Sequence, residues 1–538
     1  MSFLASGGRP SARSTGGMVT APHGLAAQSG LFILKNGGNA ADAIIATAAV
    51  LAVVYPHMTG IGGDVFFIYY DGKRGEVHAY NGSGAAAQAA TLQRYRGLGL
   101  HAIPERGGAA VVTVPGTIDA WFALHERFGS LDMERILAPA IAYALHGAPA
   151  ARSFVAAVNR LREVLAVDEG ASSLYVDHGP AQIGAQFKNA RLGAALAAIA
   201  KGGRQWFYEG EGAGHVDRCC RRVDSPLRAE DLAAHHGFFT TPVAARFYGL
   251  DSITTQPNSQ GVAALVAQQT YERYAAQNAG MRLDDLSAAR THAGVESIRL
   301  AFAARDECVG DPREGASWEP LLSAARAETE AARIDPNAAL PQAPSSAGQG
   351  DTAYFACVDR DGNAVSFIQS LFHSFGAGVV VPELGFPLQN RGMAFELSQD
   401  KIRSLAPGKL PFHTLMPCML MRQGKPWLVY GSMGGEGQPQ TALQIATRVA
   451  HDGCDPQSAI EAPRWRWGKD LGDERSRVHV ELRIGAACIS GLRARGHDVN
   501  VLADWDESMG HAGAIVVDAS GVFTGGADPR GDGAALGF

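Results

Sequence analysis

Residues 351–370 read DTAYFACVDRDGNAVSFIQS and predict a β-hairpin around which the rest of the fold is organised. The runs TAYFACV and AVSFIQS are rich in β-branched and aromatic residues, and the polar stretch DRDGN between them is a strong turn signal. With Asp361 at the centre of the turn, Thr352 lies opposite Ser370. A two-residue turn would shift this register by one, so the pairing of the two hydroxyls is a prediction about register.

The segment before this hairpin has a different composition. Residues 335–350, DPNAALPQAPSSAGQG, are rich in Pro, Ser, Ala and Gly and predict an exposed, flexible segment that ends beside Asp351. A Thr hydroxyl is a weak nucleophile, but an N-terminal Thr carries its own base, because a free α-amine has a pKa of about 7.7–8.0. Cleavage before Thr352 would create such a residue. An ordinary threonine at the start of a strand is the alternative that the local sequence leaves open.

The first part of the chain alternates helix and strand signals. Asn39 is a predicted cap of an apolar helix that Pro56 ends, and this helix is expected in the middle of the structure. Val65–Tyr70, VFFIYY, predicts a buried strand between the glycine-rich turn 60–63 and a second turn at 71–73. Further helices are predicted near Thr117–Phe128, Glu134–Leu145, Ser153–Leu165, Gly261–Asn278 and His292–Arg305.

Composition excludes several classes of protein. The 538 residues are 46% hydrophobic and 19% charged, which favours a large core, in three or four domains or in one large layered domain. The net charge is −6 without a basic run, so no nucleic-acid partner is expected and a small-molecule partner is favoured. No apolar run is long enough for a membrane span, and the first residues lack an export segment, so we expect a cytoplasmic protein.

The sequence also lacks the common metal and cofactor motifs. Its seven cysteines are odd in number and have no CxxC spacing, which indicates reduced thiols. HExxH, GxxxxGK[ST] and a complete GxGxxG after a strand are all absent. We therefore expect neither a metal nor a cofactor.

Several longer segments carry a family resemblance. They are GGNAADAIIATAAVLAVVYPHMTGIGGDVFFIYY, VPGTIDAW, HAGVESIRLAFAARDECVGDP, the hairpin with its continuation LFHSFGAGVVVP, YGSMGGEGQ and GGADPRGDGAALG. In content and order they resemble the γ-glutamyltransferase family of self-cleaving N-terminal-nucleophile hydrolases, from about residue 18 to the C-terminus. The resemblance implies a four-layer αββα sandwich made by two fragments of one proenzyme. The large fragment would be 1–351 and the small fragment 352–538, and the two would stay associated.

The resemblance also implies catalytic roles. Thr352 matches the nucleophile, which first attacks the Asp351 carbonyl to cleave the chain and then attacks the substrate amide. Ser370 matches a second hydroxyl residue that hydrogen-bonds the nucleophile. Gly434 and Gly435 match the pair whose N–H groups stabilise the oxyanion, although on sequence alone they also fit a turn before a helix.

The sequence lacks the residues that, in the family pattern, bind the α-carboxylate and the α-amine of the substrate. The family arginine for the α-carboxylate aligns near Ser83, and its acid for the α-amine aligns with Ala394. A family asparagine is replaced by Phe372, and a serine pair by His413 and Thr414. Because a buried ammonium without its carboxylate is costly, we do not expect a γ-glutamyl compound to be the best substrate.

These residues instead resemble a divergent branch that hydrolyses small amides bearing a carboxylate, such as oxamate. Arg391 is the candidate for binding that carboxylate, with a structural ion pair as the alternative. His373 and His413 are candidate additional donors, unless they are ordinary buried histidines, and Thr414 lies beside His413 in the sequence. Phe372 would narrow the pocket.

Three hypotheses follow. The first is a self-processing threonine amidohydrolase for oxamate-like amides, and the second is a γ-glutamyl hydrolase or transferase with an altered α-amino site. The third is an uncleaved relative that only binds a ligand. The acyl acceptor stays open, as does the oligomeric state, for which a homodimer is one possibility.

Overall fold

The predicted hairpin lies in the middle of an antiparallel sheet. Its strands are Asp351–Asp359 and Ala364–Phe372 in this computed structural model. Ala353 pairs with Gln369, and the register predicted from Asp361 continues to the turn. At the open end the register shifts by one residue, so the ladder is irregular where cleavage is predicted. The structure describes residues 8–278, 284–314, 317–341, 350–469, 473 and 475–538.

Two seven-stranded antiparallel sheets form the centre of the molecule. In spatial order the sheet that contains the hairpin consists of Ala534–Gly537, Gly17–Ala21, Asp351–Asp359, Ala364–Phe372, Asp64–Asp71, Glu76–Gly82 and Phe238–Thr240. The other sheet consists of Ala12–Ser14, Phe523–Ala527, Ala512–Val517, Lys425–Ser432, Cys418–Arg422, Leu250–Thr254 and Val243–Phe247. Both sheets combine strands from before and after residue 351, so the two predicted fragments share one core.

Smaller strands lie outside these sheets. They are the pair Ala148–Pro149 and Gln186–Phe187, the pair Val380–Val381 and Phe386–Pro387, and the triple Trp465–Gly468, Arg477–Glu481 and Val499–Leu502.

Successive side chains of the strand Asp351–Asp359 point alternately into two different layers of the hydrophobic core. Tyr354 and Ala356 pack in the cluster between the sheets, whereas Phe355 and Cys357 face the helices that cover the hairpin sheet. A third cluster lies between the other sheet and a second group of helices. The arrangement is the expected four-layer αββα sandwich.

The helices confirm most of the sequence predictions. Asn39 caps Ala40–Val54 through a capping box, and every residue of this helix is buried, as its uniformly apolar sequence requires. The predicted helix 153–165 is divided at Leu161. The α-helices are Gly24–Lys35, Ala40–Val54, Leu92–Gly97, Thr117–Phe128, Met133–His146, Arg152–Arg160, Arg162–Leu165, Glu169–Ala171, Ala190–Tyr208, Glu211–Arg222, Ala229–Ala233, Gly261–Gln277, Ala288–Cys308, Ala324–Ala332, Gly437–Ala450, Pro456–Glu461 and Ala486–Ala494.

Only part of the predicted flexible segment can be compared with the structure, because residues 342–349 lie outside the described residues. Residues 335–341 are held by hydrogen bonds, among them Ala339 N–H to the Arg495 carbonyl and the Arg299 guanidinium to the Pro341 carbonyl. Within the described ranges, none of the helices combines the length and the apolarity that a membrane crossing needs.

Candidate active site at the open end of the hairpin

The structure brings Thr352, Ser370 and the Asp351 carbonyl into one hydrogen-bonded chain. The Thr352 hydroxyl donates to Ser370 Oγ at 3.0 Å, and Ser370 donates to the Asp351 carbonyl oxygen at 2.6 Å. The Phe372 N–H donates to Ser370 Oγ at 2.8 Å and fixes the serine in place. The Ser370 hydroxyl therefore accepts the hydrogen bond of the Thr352 hydroxyl and at the same time polarises the Asp351 carbonyl.

The backbone around these three hydrogen-bonded groups is tightly packed. Phe372 has a φ of +79°, a strained conformation for an aromatic residue. A Cβ added at Gly350 would lie 3.3 Å from both Gly435 Cα and the Phe372 ring, which is closer than a side chain normally packs. A side chain at Gly350, directly before the Asp351–Thr352 peptide bond, would therefore require one of these groups to shift by a few tenths of an ångström.

Gly434 and Gly435 lie on the loop between the strand that ends at Ser432 and the helix that begins at Gly437. Their φ angles are +124° and +54°, which glycine adopts without strain. Neither N–H donates to an acceptor among the residues that the structure describes. Two free donors beside Gly350 form the kind of arrangement that stabilises a developing oxyanion.

Sequence reasoning missed Gln260, which connects this glycine loop to the segment at Thr414. Its side-chain amide donates to the Gly435 carbonyl at 2.9 Å and to the Thr414 carbonyl at 2.7 Å. Arg305 donates to the Gln260 side-chain oxygen and, through another nitrogen, to Glu436. No sequence motif marks Gln260, because its partners are far away along the chain.

Arg391 is fully buried, and its charge is largely unpaired. One guanidinium nitrogen donates to Thr414 Oγ1 at 3.2 Å, whereas Nε and Nη2 have no hydrogen-bond partner in the described part of the chain. The guanidinium lies 3.9 Å from the centre of the Phe372 ring. Burial lowers the pKa of Arg391, with Asp64 acting against the shift. The structural ion pair considered as an alternative is not found among the described residues.

Asp64 is a second buried charge that sequence reasoning missed, although an acid directly before VFFIYY was a visible signal. One carboxylate oxygen accepts from the Gly84 and Gly116 N–H groups and from Gln389, and the other lies 3.0 Å from His413 Nε2. Burial raises the pKa of Asp64 to about 7 against these hydrogen bonds and against Arg391.

The two predicted histidines have different environments. His413 is engaged at both ring nitrogens, because Nδ1 accepts the Leu415 N–H while Nε2 faces Asp64. Burial and Arg391 lower the pKa of His413, so this ring is neutral. His373 stacks on Phe372 and contacts Glu105 through Nδ1 at 3.1 Å. His413 thus positions Asp64 in the structure, and its role as a donor to substrate stays a prediction.

An open cleft of about 360 Å³ begins at the Asp351–Thr352 bond. Arg106, Arg160, Glu105, Ser374 and Glu507 are among the residues that line it, together with Gly350, Asp351 and Gly434. Arg391 is not among them.

Comparison with known proteins identifies the family of the chain. The sequence profile described as Gamma-glutamyltranspeptidase matches residues 26–538.

The chain belongs to the gamma-glutamyltranspeptidase family.

Relatives and solved structures agree with this membership. The chain is 40% identical to the glutathione hydrolase-like YwrD proenzyme of Bacillus subtilis over 97% of this chain and 98% of that protein. It is 39% identical to the oxamate amidohydrolase proenzyme of Klebsiella pneumoniae over 98% and 99%. The structure superposes on cephalosporin acylase from Bacillus halodurans with a TM-score of 0.91 at 33% identity, over 98% and 97% of the chains. This member of the gamma-glutamyltranspeptidase family is a self-processing amidohydrolase.

The structure shows the surroundings of two positions, Ser83 and Ala394, at which the sequence is expected to depart from the gamma-glutamyltranspeptidase pattern. Ser83 is buried and shares hydrogen bonds with Asn81 and Asn258, so no cation stands there. Ala394 ends the one-turn helix that Arg391 begins.

A separate cluster of potential metal ligands joins the helix Ala288–Cys308 to His497. His292, Glu296 and His497 have ligand atoms within 4.8 Å of one another. His292 is already hydrogen-bonded to His497 and to the Asp335 carbonyl, and Glu296 is paired with Arg299. These contacts give the cluster a structural role in holding the chain after Asp335.

Proposed function

We propose that this protein cleaves itself before Thr352 and then hydrolyses a small amide that carries a carboxylate beside its carbonyl, as oxamate does. The observation that carries the proposal is the buried guanidinium of Arg391, whose Nε and Nη2 lack partners among the described residues. A buried cation with unsatisfied donors is costly unless an anion completes its coordination. The Klebsiella pneumoniae relative, named an oxamate amidohydrolase, fits this chemistry.

Self-cleavage uses the hydrogen-bonded chain at the hairpin. Thr352 Oγ attacks the Asp351 carbonyl carbon and passes its proton to Ser370 Oγ, whose own proton moves to the carbonyl oxygen. When the Asp351–Thr352 C–N bond then breaks, that proton passes from the oxygen to the Thr352 nitrogen, which leaves an ester and a free α-amine. Water then hydrolyses the ester. The products are fragments 1–351 and 352–538, which stay associated through the shared sheets.

The freed α-amine then serves as the general base for amide hydrolysis. It takes the proton of Thr352 Oγ as the oxygen attacks the substrate carbonyl, and it passes that proton to the leaving amine. The N–H groups of Gly434 and Gly435 stabilise the oxyanion, and loss of one such donor typically costs about 2.7–4 kcal/mol of barrier. Water hydrolyses the acyl-enzyme in the second half of the reaction.

Recognition of the acyl group depends on Arg391, Thr414 and Phe372. The guanidinium presents Nε and Nη2 as a fork that matches a carboxylate, while Thr414 holds Nη1 and Phe372 supports one face. Asp64 does not compete for this fork, because its oxygens face four other nitrogen donors. His373 stacks against the outer side of Phe372 and confines the pocket.

A γ-glutamyl substrate is the second candidate, because the Bacillus subtilis relative is named glutathione hydrolase-like. The protein would then need an acid for the α-ammonium group, and Ala394 stands at the position where the family pattern has one. Asp64 is an acid near Arg391, but its oxygens are occupied. These features favour the oxamate-like substrate.

One comparison of substrates separates the two candidates. The purified protein is tested for ammonia release from oxamate and for p-nitroaniline release from a γ-glutamyl anilide, after denaturing electrophoresis has shown fragments 1–351 and 352–538. We expect oxamate to have the higher kcat/KM. An anilide rate that is higher by orders of magnitude would refute the role of Arg391, and a single uncleaved band would refute processing. A homodimer stays a prediction, which sedimentation of the processed protein tests.

A further inference from the structure

Two serines hold Asp351, the residue whose carbonyl carbon is attacked in self-cleavage. Ser370 donates to the Asp351 main-chain carbonyl at 2.6 Å. Four residues further along the chain, the Ser374 hydroxyl donates a short hydrogen bond to the Asp351 side-chain carboxylate. Ser374 is only 2% exposed and lines the open cleft. The cleavage chemistry described above uses Ser370 and gives Ser374 no role.

Neighbouring donors fix the direction of both hydrogen bonds. A serine hydroxyl has one proton to donate and can accept two hydrogen bonds. Ser370 Oγ already accepts two, so its own proton goes to the Asp351 carbonyl. Ser374 Oγ accepts from the Arg160 guanidinium at 3.4 Å, and a guanidinium can only donate. The single proton of Ser374 therefore goes to the Asp351 carboxylate.

The Ser374 hydroxyl projects from a turn that is itself held in place. The next two residues, Phe375 and Gly376, have φ angles of +60° and +57°, in the left-handed region. Arg106 donates to the main-chain carbonyl of Ser374 at 2.6 Å and also to that of Gly376. A hydroxyl on such a turn does not follow a partner that moves. Its position therefore determines where the Asp351 carboxylate lies.

The bond to be cleaved needs such a constraint, because the strand pairing around it is irregular. The register of the hairpin shifts by one residue between Asp351 and Ala353. Attack requires the Thr352 oxygen to approach the carbonyl carbon closely and in line, and a misplacement of about 1 Å can cost roughly 100-fold in rate. One anchor on the carbonyl and another on the side chain of the same residue restrict its rotation more than either alone.

We propose that Ser374 and the Asp351 carboxylate are positioning groups for self-cleavage, because their hydrogen bond keeps the Asp351 carbonyl in line with the Thr352 hydroxyl. This inference rests on the proposed cleavage before Thr352 and adds a requirement to it. The residue before the cleavage point must carry an acceptor oxygen at the distance that an aspartate side chain gives.

Substitutions of Asp351 separate the position of the acceptor from its charge. Asp351→Asn keeps an oxygen at the same distance without the charge, whereas Asp351→Glu keeps the charge one methylene further away. We expect the asparagine variant to be cleaved within about fivefold of the wild-type rate, since a neutral hydrogen bond is weaker than a charged one. Asp351→Glu and Asp351→Ala should be roughly 30-fold slower or more. Fast cleavage with glutamate and slow cleavage with asparagine would overturn the inference.

A double-mutant cycle tests whether Ser374 acts through Asp351. Ser374→Ala and Asp351→Ala should slow cleavage by similar factors. The double variant should be no slower than the slower single variant, because both changes remove the same hydrogen bond. Ser374→Thr keeps the hydroxyl and should restore most of the rate. Effects that multiply in the double variant would mean two independent roles and would refute the pairing.

Ser172→Ala is the matched control. The Ser172 hydroxyl also donates to an aspartate, Asp177 at 2.7 Å, but neither residue lines the cleft. The rate of cleavage should not change in this variant. Slowing equal to that of Ser374→Ala would show that loss of any serine–aspartate hydrogen bond has this effect, and the inference would fail.

Cleavage is measured on the full chain made by cell-free translation with a short radioactive pulse. Denaturing electrophoresis follows the conversion of the 538-residue chain to fragments 1–351 and 352–538. Resistance of the uncut chain to trypsin shows that each variant has folded. Equal rates for the wild type and Asp351→Ala would overturn this inference alone. A wild-type chain that stays uncut would refute the proposed function together with it.

Discussion

The surroundings of Thr352 differ sharply between the buried site proposed at Arg391 and the open cleft. Arg391 is fully buried against Phe372, and its charge has few partners. The cleft has about 360 Å³ of space and is lined by charges of both signs. A buried site around one cation without an ion pair would select a single small group, whereas an open cleft accepts groups of several sizes. The comparison therefore predicts an enzyme that is strict about the acyl group and permissive about the amine.

The strongest test removes the residue that joins the two regions. Thr352→Ala should leave the chain uncut and reduce amide hydrolysis below about 10⁻⁴ of the wild-type rate, because the nucleophile and its amine are both lost. Electrophoresis and ammonia release measure the two effects, and the thermal midpoint reports the fold. Thr352→Ser is the matched control and should still be cut, since it keeps the hydroxyl. Fragments in the alanine variant would place the processing residue elsewhere.

A change at Arg391 tests the buried site alone. Arg391→Met should lower kcat/KM for oxamate by roughly 30-fold or more, the effect of truncating a buried charge partner. The free energy of unfolding should stay the same or rise, because a buried charge without an ion pair is removed.

Arg403 provides the matched control for this change. Its guanidinium lies 3.8 Å from the Phe412 ring centre, much as Arg391 lies against Phe372, but it also pairs with Asp306 at 2.7 Å. Arg403→Met should therefore lower the free energy of unfolding by about 1 kcal/mol in urea denaturation, because it removes one ion pair while Asp306, which is 31% exposed, keeps its pair with Arg305. Equal stability losses in both variants would mean that Arg391 is structural.

Two analogues of oxamate, one with an extra carbon in the acyl group and one with an extra carbon on the amine, compare the two regions directly. Malonamate lengthens the acyl group of oxamate and should lower kcat/KM about tenfold or more, since a buried site rejects extra volume. N-methyloxamate extends the amine end and should change kcat/KM less than about threefold. The alkaline hydrolysis rates of the three amides give the reference for intrinsic reactivity. Equal penalties at both ends would contradict the proposed division.

The last prediction concerns Asp64, whose charge is felt by Arg391. Its pKa of about 7 in the folded protein lies above the value of 3.8 for an exposed aspartate. Between these values the folded state keeps a proton that the unfolded chain has lost, so the contribution of Asp64 to stability falls as pH rises from about 4 to 7 and is constant above. The slope is at most about 1.4 kcal/mol per pH unit.

Urea denaturation at pH 5, 6, 7 and 8 measures this slope. The quantity compared is the difference between the free energies of unfolding of the wild type and of Asp64→Asn. The stability of the variant should rise relative to the wild type up to about pH 7. Asp528→Asn is the control, because Arg464 and Arg530 overcome burial and lower the pKa of Asp528 to about 2, so that its titration lies below this range. Parallel curves for the wild type and Asp64→Asn would show that Asp64 is ionised throughout.

Much of the candidate site was predictable because its members are close in sequence or follow local rules. The turn at Asp361 determined the register of the hairpin, and that register brought Ser370 to Thr352. The bulge at Asp351 was not predicted, since a ladder irregularity depends on the packing of neighbouring residues. Asn39 was recognisable as a cap because its partners lie two and three residues away.

Asp64, Gln260 and Arg160 could not be assigned in the same way. Gln260 bonds to Thr414 and Gly435, and Asp64 faces His413, across separations that no local pattern encodes. The family resemblance did not help with them, because it points to matched positions and is silent about new ones.

The sequence by itself determined the hairpin and the pairing of two hydroxyls, because side-chain periodicity and turn chemistry act over a few residues. The layered architecture was implied by the family resemblance. Only the tertiary structure decided that Arg391 is buried with unsatisfied donors and that Asp64 faces His413. Burial and charge pairing arise from residues that meet only when distant strands and helices pack, and these two quantities set the cost of a charge.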